Sequence, residues 1–207
     1  MNNPLLLLLM TVAGLYVGKL WRDDRRANLR GAGASPPSPG ALPGATAAPA
    51  RATGIAITGA LVILAAETCG ENALGLAAQQ SRMTWLFALY SVAAAPIIEE
   101  LIFRGWLVVT IRGNATMWAA AIGASVIFAA LHPFLWRWDD AGLAFTLSTK
   151  GWFSTGAVFA TSLWLYVARL AAWNPQRSLL PCFAAHAAKN FGVVAIKAVA
   201  GFMVGAW

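Results

Sequence analysis

The sequence predicts an all-α protein, a polytopic bundle of about six transmembrane helices around a polar cavity within the membrane. Of its 207 residues, 59% are hydrophobic and only 11% are charged, against roughly 25% charged residues in soluble proteins. The mean hydropathy is +0.64, and apolar stretches approach or exceed the roughly 20 residues that a membrane-spanning helix needs. The chain is long enough for one such bundle and too short for an additional soluble catalytic domain.

The first apolar run, Pro4 to Leu20, is predicted to be a retained membrane anchor. It does not match a secretory signal peptide, because the positive charges follow the apolar run instead of preceding it. These charges are Lys19, Arg22, Arg25, Arg26, Arg30 and Arg51. Such a cluster is typical of the cytoplasmic side of a membrane. We therefore expect the N-terminus outside and the following segment in the cytoplasm, and the high pI needs no nucleic-acid partner.

The sequence predicts three parts. Residues 1–30 form the anchor and its basic juxtamembrane segment. Residues 31–52 hold five of the ten prolines and a single large apolar side chain, Leu42, so they are predicted to form a disordered linker. Residues 53–207 are predicted to form the helix bundle.

Five membrane spans are predicted within the bundle, approximately over 53–79, 83–111, 116–132, 151–173 and 180–204. Pro96 should bend the segment 83–111 just before two glutamates. Pro133 disfavours helical geometry at the residue before it and so should end the next span. Trp136 and Trp138 follow, and they are typical of a loop at the level of the lipid headgroups.

Two adjacent carboxylates, Glu99 and Glu100, lie within the apolar segment 83–111. A charge at bilayer depth costs roughly 2.5–3.5 kcal/mol even on the insertion scale, so such groups are rare and usually functional. Glu100 and Arg104 lie four residues apart on one helix face, where Arg104 can neutralise Glu100. Glu99 is rotated from Glu100 by about 100°. It is left free to take up a proton, and burial beside a second carboxylate should raise its proton affinity toward that of a useful general base.

The only two histidines, His132 and His186, lie in two further apolar segments. His132 is placed to hold the same water or to shuttle its proton. His186 and Asn190, one turn apart, are placed to donate hydrogen bonds to a developing oxyanion. Phe128, one turn before His132, is predicted to pack. Together these groups suffice to activate water against an amide bond without a serine or cysteine nucleophile.

Other interpretations of the same residues stay open. Zinc bound by Glu99, His132 and His186 would have suitable ligands, but HExxH is absent and no two histidines share a helix, so a site without a cofactor is favoured. A non-catalytic membrane partner, such as a bacteriocin-immunity or scaffold protein, is a second alternative. A proton-coupled transporter is a third, because buried Glu and His side chains also relay protons. Cys69 and Cys182 lack CxxC spacing and are predicted to be small buried hydrophobes.

Three short motifs, EELIFRG, FAALH and HAAKN, occur in this order on separate hydrophobic segments. They resemble the EExxxR, FxxxH and HxxxN/D signatures of the CPBP intramembrane proteases. That family includes CAAX prenyl endopeptidases of the Ras-converting type and bacteriocin-processing and self-immunity relatives. The resemblance covers about residues 83–201 and implies hydrolysis of a peptide bond within or at the edge of the bilayer.

The resemblance also implies roles for individual residues. Glu99 matches the water-activating glutamate and His132 its partner histidine. His186 and Asn190 match the pair that stabilises the oxyanion. Glu100 and Arg104 match supporting positions.

Members of the prenyl-protease type commonly have about eight spans, so the shorter bundle and the proline-rich linker fit a bacterial relative better. We therefore expect an integral protein of a bacterial inner membrane. Its expected partners are the lipid bilayer and a membrane-associated or lipidated peptide substrate, with no nucleic acid.

Overall fold

The computed structural model describes residues 3–30, 40–110, 112–139 and 142–206, which are helical apart from one short hairpin and the connecting loops. The α-helices are α1 Pro4–Arg30, α2 Ala50–Ala73, α3 Trp85–Ala93, α4 Ala95–Glu100, α5 Gly113–Leu131, α6 Thr149–Leu170 and α7 Leu180–Val199. A short 3₁₀ helix, Ala77–Gln79, follows α2, and a π-helical turn, Leu101–Trp106, continues α4. Strands β1 Trp136–Asp139 and β2 Gly142–Phe145 pair antiparallel between α5 and α6. The predicted all-α class is confirmed.

Four segments of the described chain are both long and apolar enough to cross a membrane. They are α1, α2, the segment from Trp85 to Trp106, and α5. Helices α6 and α7 have 22 and 20 residues, which is sufficient length, but they do not meet the same hydropathy criterion. The described chain therefore has six long helical segments, as the prediction of about six spans requires. Four of them are also apolar enough to be recognised as membrane spans by composition.

Neighbouring helices define two ends of the bundle. Gly59 on α2 faces Trp164 and Gly70 faces Phe153, so α2 and α6 run antiparallel. We call the end with the start of α2 and the α6–α7 loop the linker end. The opposite end, which contains the end of α5 and the β1–β2 pair, is the hairpin end.

Residues 40–49, just before α2, form an ordered strap at the linker end. The Leu179 amide donates to the Gly44 carbonyl at 3.0 Å, and the Trp21 indole donates to the Pro43 carbonyl at 3.1 Å. Gly44 has a φ of +64°, and a side chain there would meet Leu179. Residues 40–49 of the predicted linker are thus held by donors on α1 and on the α6–α7 loop, and residues 50–52 form the start of α2. Residues 31–39 of the predicted linker lie outside the described residues.

Helix α1 continues to Arg30, ten residues beyond the predicted apolar run. An i,i+4 ion pair between Lys19 and Asp23, at 2.6 Å, lies in this extension. Asp24 also accepts a hydrogen bond from the Leu42 amide of the strap at 2.8 Å. The polar end of the helix is thus held by side-chain contacts that an apolar pattern does not reveal.

Candidate active site

The segment that presents the two glutamates is broken between α3 and α4. Ala94 has φ −115° and ψ −45°, and Pro96 lies in the first turn of α4. Proline has no backbone N–H to continue the ladder of the preceding helix. A break in the helix at Ala94, two residues before Pro96, lies where the bend is predicted, and Glu99 and Glu100 are in the last turn of the short helix that follows. The π-helical turn that follows is a geometry often found at functional sites.

Glu100 and Arg104 form a fully buried ion pair. Both side chains have 0% exposure, and the Arg104 Nη1 atom lies 3.1 Å from Glu100 Oε1. A buried charge without a partner is very costly, so this pairing is required for either group to be charged in the bundle interior. The i,i+4 pair predicted from the spacing is present.

Arg104 also connects this segment to α5 and α6. Its Nη2 atom donates to the Ser162 hydroxyl at 2.6 Å and to the Ser162 carbonyl at 3.1 Å. Its guanidinium lies over the rings of Phe128, at 4.6 Å, and Tyr166, at 5.0 Å. Sequence reasoning missed Ser162 and Tyr166, because a single serine or tyrosine in an apolar helix has no spacing signal that links it to Arg104.

His186, on α7, lies beside both carboxylates. Its Nδ1 atom is 2.8 Å from Glu100 Oε1, and its Nε2 atom is 3.8 Å from Glu99 Oε2. A carboxylate paired with arginine can only accept, so the proton of this hydrogen bond belongs to His186 Nδ1. The Nε2 atom is thereby directed toward Glu99.

Glu99 has different surroundings from its neighbour. Its side chain is 26% exposed, and its Oε2 atom is buried without a hydrogen-bond partner among the described residues. Buried polar atoms are rarely left unpaired, and such an atom calls for an explanation in function or in a bound molecule. The Glu100 Oε2 atom is likewise buried without a partner among the described residues, but Glu100 is fully buried and paired with Arg104. Glu99 is therefore the partly exposed and more accessible of the two carboxylates.

His132 is the residue at which α5 ends. Its extended backbone, with ψ 126°, follows from the proline at the next position. The Nδ1 atom lies 2.8 Å from the Phe128 carbonyl oxygen. A carbonyl can only accept, so Nδ1 holds the proton in the neutral ring and Nε2 retains a lone pair. This tautomer makes Nε2 a proton acceptor.

The Phe128 ring lies between His132 and the cluster that contains His186. Its ring centroid is 4.8 Å from that of His132 and 6.4 Å from that of His186. No hydrogen bond or ion pair within the described chain joins His132 to Glu99 directly. The structure therefore brings Glu99, Glu100, Arg104 and His186 into direct contact, and it holds His132 next to them through an aromatic ring.

Asn190 is only partly available. Its Nδ2 atom donates to the Ser91 carbonyl on α3 at 2.7 Å. The amide has a second N–H, which this contact leaves unused. Asn190 thus ties α7 to α3, one helical turn from His186.

The described residues contain no group of three or more His, Cys, Asp or Glu side chains arranged to hold a metal ion. The set Glu99, His132 and His186, considered above as zinc ligands, is not such a group in this geometry. Cys182 is buried as predicted, whereas Cys69 is exposed. The burial predicted for Cys69 is wrong, because the residue lies on the outer surface of α2.

The fold and this cluster together define an integral membrane protein with an ionisable, hydrogen-bonded site among its helices, the kind of site found in intramembrane proteases. The family model described as type II CAAX prenyl endopeptidase Rce1-like matches residues 81–192, just over half of the chain. The chain therefore belongs to the Rce1-like family of CAAX proteases, and the resemblance inferred from the three motifs is confirmed. No curated protein and no solved structure matches it.

Proposed function

We propose that the protein is an intramembrane endopeptidase in which Glu99 activates the hydrolytic water. The family itself is a protease family. The observation that most directly supports the assignment is the contrast between the two carboxylates. Glu100 is fully buried and paired with Arg104, whereas Glu99 is 26% exposed and its Oε2 atom lies 3.8 Å from His186 Nε2.

In the proposed reaction a water molecule lies between Glu99 and His132. Glu99 takes a proton from this water as the oxygen attacks the carbonyl carbon of the scissile peptide bond. The lone pair on His132 Nε2 accepts the second hydrogen bond of the water and orients it. The C–N bond then breaks, and the proton held by Glu99 passes to the leaving amine. This sequence needs neither a metal nor a covalent intermediate.

His186 and Asn190 are proposed to stabilise the oxyanion. When both ring nitrogens of His186 carry protons, Nδ1 donates to Glu100 and Nε2 can donate to the oxyanion. The free N–H of Asn190 would be the second donor. Arg104 holds Glu100 in place, so it acts as a positioning residue and does not touch the substrate.

The proposed substrate is a membrane-associated or lipidated peptide tail, since the site lies among membrane-spanning helices. The proposed location is a bacterial inner membrane, with the N-terminus outside and the linker end in the cytoplasm. The basic residues near the linker end, Arg22 to Arg30, support this orientation.

The test is cleavage of pooled membrane peptides by purified protein in liposomes, with product ends read by mass spectrometry. Glu99→Gln should lower the rate by a factor on the order of 10²–10⁴, with folding intact. Asp23→Asn, an exposed acidic position on α1, is the matched control and should cleave like the wild type. A folded Glu99→Gln protein that cleaves normally would refute the mechanism.

Two further outcomes separate the alternatives. If a chelator abolishes activity and zinc restores it, the two histidines would be metal ligands and would not act on water directly. The second outcome is that the wild type cleaves nothing, while protection against a bacteriocin or binding of a partner protein persists in Glu99→Gln and His132→Ala. That outcome would favour a non-catalytic membrane partner.

A further inference from the structure

The hairpin that follows His132 has one face made only of apolar side chains. Trp136 pairs with Phe145 and Trp138 with Leu143 in the antiparallel register. Paired residues, and residues two apart on one strand, point to the same side of a sheet. All four side chains therefore share one face, which we call the aromatic face.

The aromatic face is turned outward. Trp138 is 75% exposed, Phe145 71% and Leu143 51%, and Trp136 is partly buried. On the opposite face Ala144 is partly buried and Arg137 is exposed. A hairpin in water shows the reverse alternation, with large apolar side chains inward and small or polar ones outward. This arrangement indicates that the medium around the aromatic face is itself apolar.

The hairpin is held against the end of α5. The Trp136 indole donates to the Ala130 carbonyl of α5 at 2.8 Å. Within the hairpin, the Thr146 amide donates to the Leu135 carbonyl at 2.8 Å. Phe134, between His132 and β1, stacks on the His132 ring with centroids 6.0 Å apart. The depth of the hairpin and the position of His132 are thus mechanically linked.

The aromatic face continues the lipid-facing surface of the neighbouring helices. Three large apolar residues nearby are well exposed: Leu131 at the end of α5, Leu147 just before α6, and Trp152 in the first turn of α6. Helix α5 is one of the segments apolar enough to span the membrane. The apolar phase that surrounds α5 therefore ends close to the hairpin.

We propose that the aromatic face of the β1–β2 hairpin lies in the interfacial layer of the lipid bilayer and fixes the depth of the α5 end and of His132. Tryptophan is enriched at this level, because its ring is apolar and its N–H remains polar. A peptide added as an extra strand would use backbone groups at the edge of the hairpin and not its face, so lipid accounts better for the exposed side chains. The proposal does not depend on the proposed protease activity.

The test compares two neighbouring positions on opposite faces. Leu143→Cys and Ala144→Cys are each made in a Cys69→Ala background and labelled with an environment-sensitive fluorophore, and the proteins are reconstituted in phosphatidylcholine liposomes. Cys182 is fully buried. The Cys69→Ala parent, treated with the same fluorophore, serves as the control that Cys182 takes up no label. Phe145→Cys supplies a second position on the aromatic face if Leu143→Cys does not fold. Quenching is measured with lipids bearing a shallow nitroxide and with aqueous iodide.

We expect the nitroxide lipid to quench the label at position 143 at least roughly twice as strongly as the label at position 144. Iodide should quench the label at position 144 more strongly than the label at position 143. Equal iodide quenching at both positions without lipid quenching would overturn the proposal. Protection of position 143 from iodide only after a substrate peptide is added would also overturn it and assign the face to peptide binding.

Discussion

Arg104 contacts three helices of the bundle at once. It pairs with Glu100 of α4, lies over Phe128 of α5, and donates to Ser162 of α6, whose hydroxyl donates in turn to Ser125. The planar guanidinium suits this combination of forked hydrogen bonds and ring stacking, which lysine cannot reproduce. At the residue scale, Arg104 stabilises the position of Glu100.

Arg104→Met should therefore be strongly destabilising. The substitution leaves Glu100 buried without its cation, and breaking a buried pair in this way costs about 3–5 kcal/mol in the free energy of unfolding. Thermal unfolding of the purified protein in detergent measures the effect. Arg82→Met, at an exposed position, is the control. Adding Glu100→Gln to Arg104→Met should recover part of the loss, and no recovery would show that the ion pair is not its cause.

Asn174 organises the loop between α6 and α7. It is fully buried, donates to the Ala168 and Ser178 carbonyls at 2.9 Å each, and accepts from the Ser178 amide at 3.0 Å. The same loop holds the strap through Leu179. This side chain replaces backbone hydrogen bonds that the end of α6 leaves unmade.

Asn174→Asp should lower the unfolding midpoint much more than the same change at Asn72, which is exposed on α2. The substitution replaces the side-chain amide nitrogen, which donates to carbonyl oxygens, with a carboxylate oxygen, which cannot donate. A buried unpaired group costs about 1–3 kcal/mol, more when it is charged. Differential scanning fluorimetry of both variants is the measurement. Equal shifts for the two positions would contradict this role for Asn174.

At the scale of elements, α1 is docked on the segment that presents the glutamates. A Cβ atom at Gly14 would lie 2.6 Å from the Ala94 Cβ atom, and one at Gly18 would lie 2.6 Å from Ile97 Cδ1. Small residues four apart allow two membrane helices to approach closely. The contact falls on the break before α4, so the first span supports the geometry of the candidate site and is more than a tether.

Gly14→Leu should separate α1 from Ala94 and lower both thermal stability and cleavage. Gly123→Leu is the matched control, since a Cβ atom at Gly123 meets nothing within 4 Å, and leucine is favoured over glycine in a helix by up to about 1 kcal/mol. Unfolding temperature and cleavage rate are measured for both proteins. Wild-type behaviour of Gly14→Leu would show that α1 is not needed at this contact.

At the scale of the whole molecule, α2 neutralises lysines of two other helices. Glu67 accepts from Lys189 of α7 at 2.8 Å, and Glu71 pairs with Lys150 of α6. Lys189 is nearly buried and lies within the HAAKN motif. Helix α2 lies before the residues matched to the family model, yet its carboxylates allow α7 to keep a lysine beside the candidate site.

The Glu67–Lys189 pair should show measurable coupling between α2 and α7. Glu67→Gln and Lys189→Met alone each leave an unpaired group, whereas the double variant removes both charges. We expect the double variant to be more stable than the sum of the single effects by about 0.5–3 kcal/mol. Unfolding free energies of the four proteins complete the cycle, and strict additivity would mean that the two side chains act independently.

Local rules account for much that could be predicted. A proline cannot continue the hydrogen bonds of the helix before it. Pro96 and Pro133 therefore allowed the break before Glu99 and the end of α5 to be inferred from the sequence. The i,i+4 spacing likewise anticipated the ion pair of Glu100 with Arg104. The order of the apolar segments and the three motifs identified the fold class and the family. The catalytic roles of Glu99, His132, His186 and Asn190 remain predictions.

The sequence by itself determined that the chain is a helical membrane protein of a CAAX protease family, because apolar length, proline positions and short motifs are local properties. Only the tertiary structure decided that residues 40–49 pack as a strap, that Ser162 and Tyr166 support Arg104, and that the hairpin turns its aromatic face outward. These features depend on contacts between residues far apart in the chain, and neither hydropathy nor helical periodicity records which partner a serine, glycine or backbone carbonyl will meet.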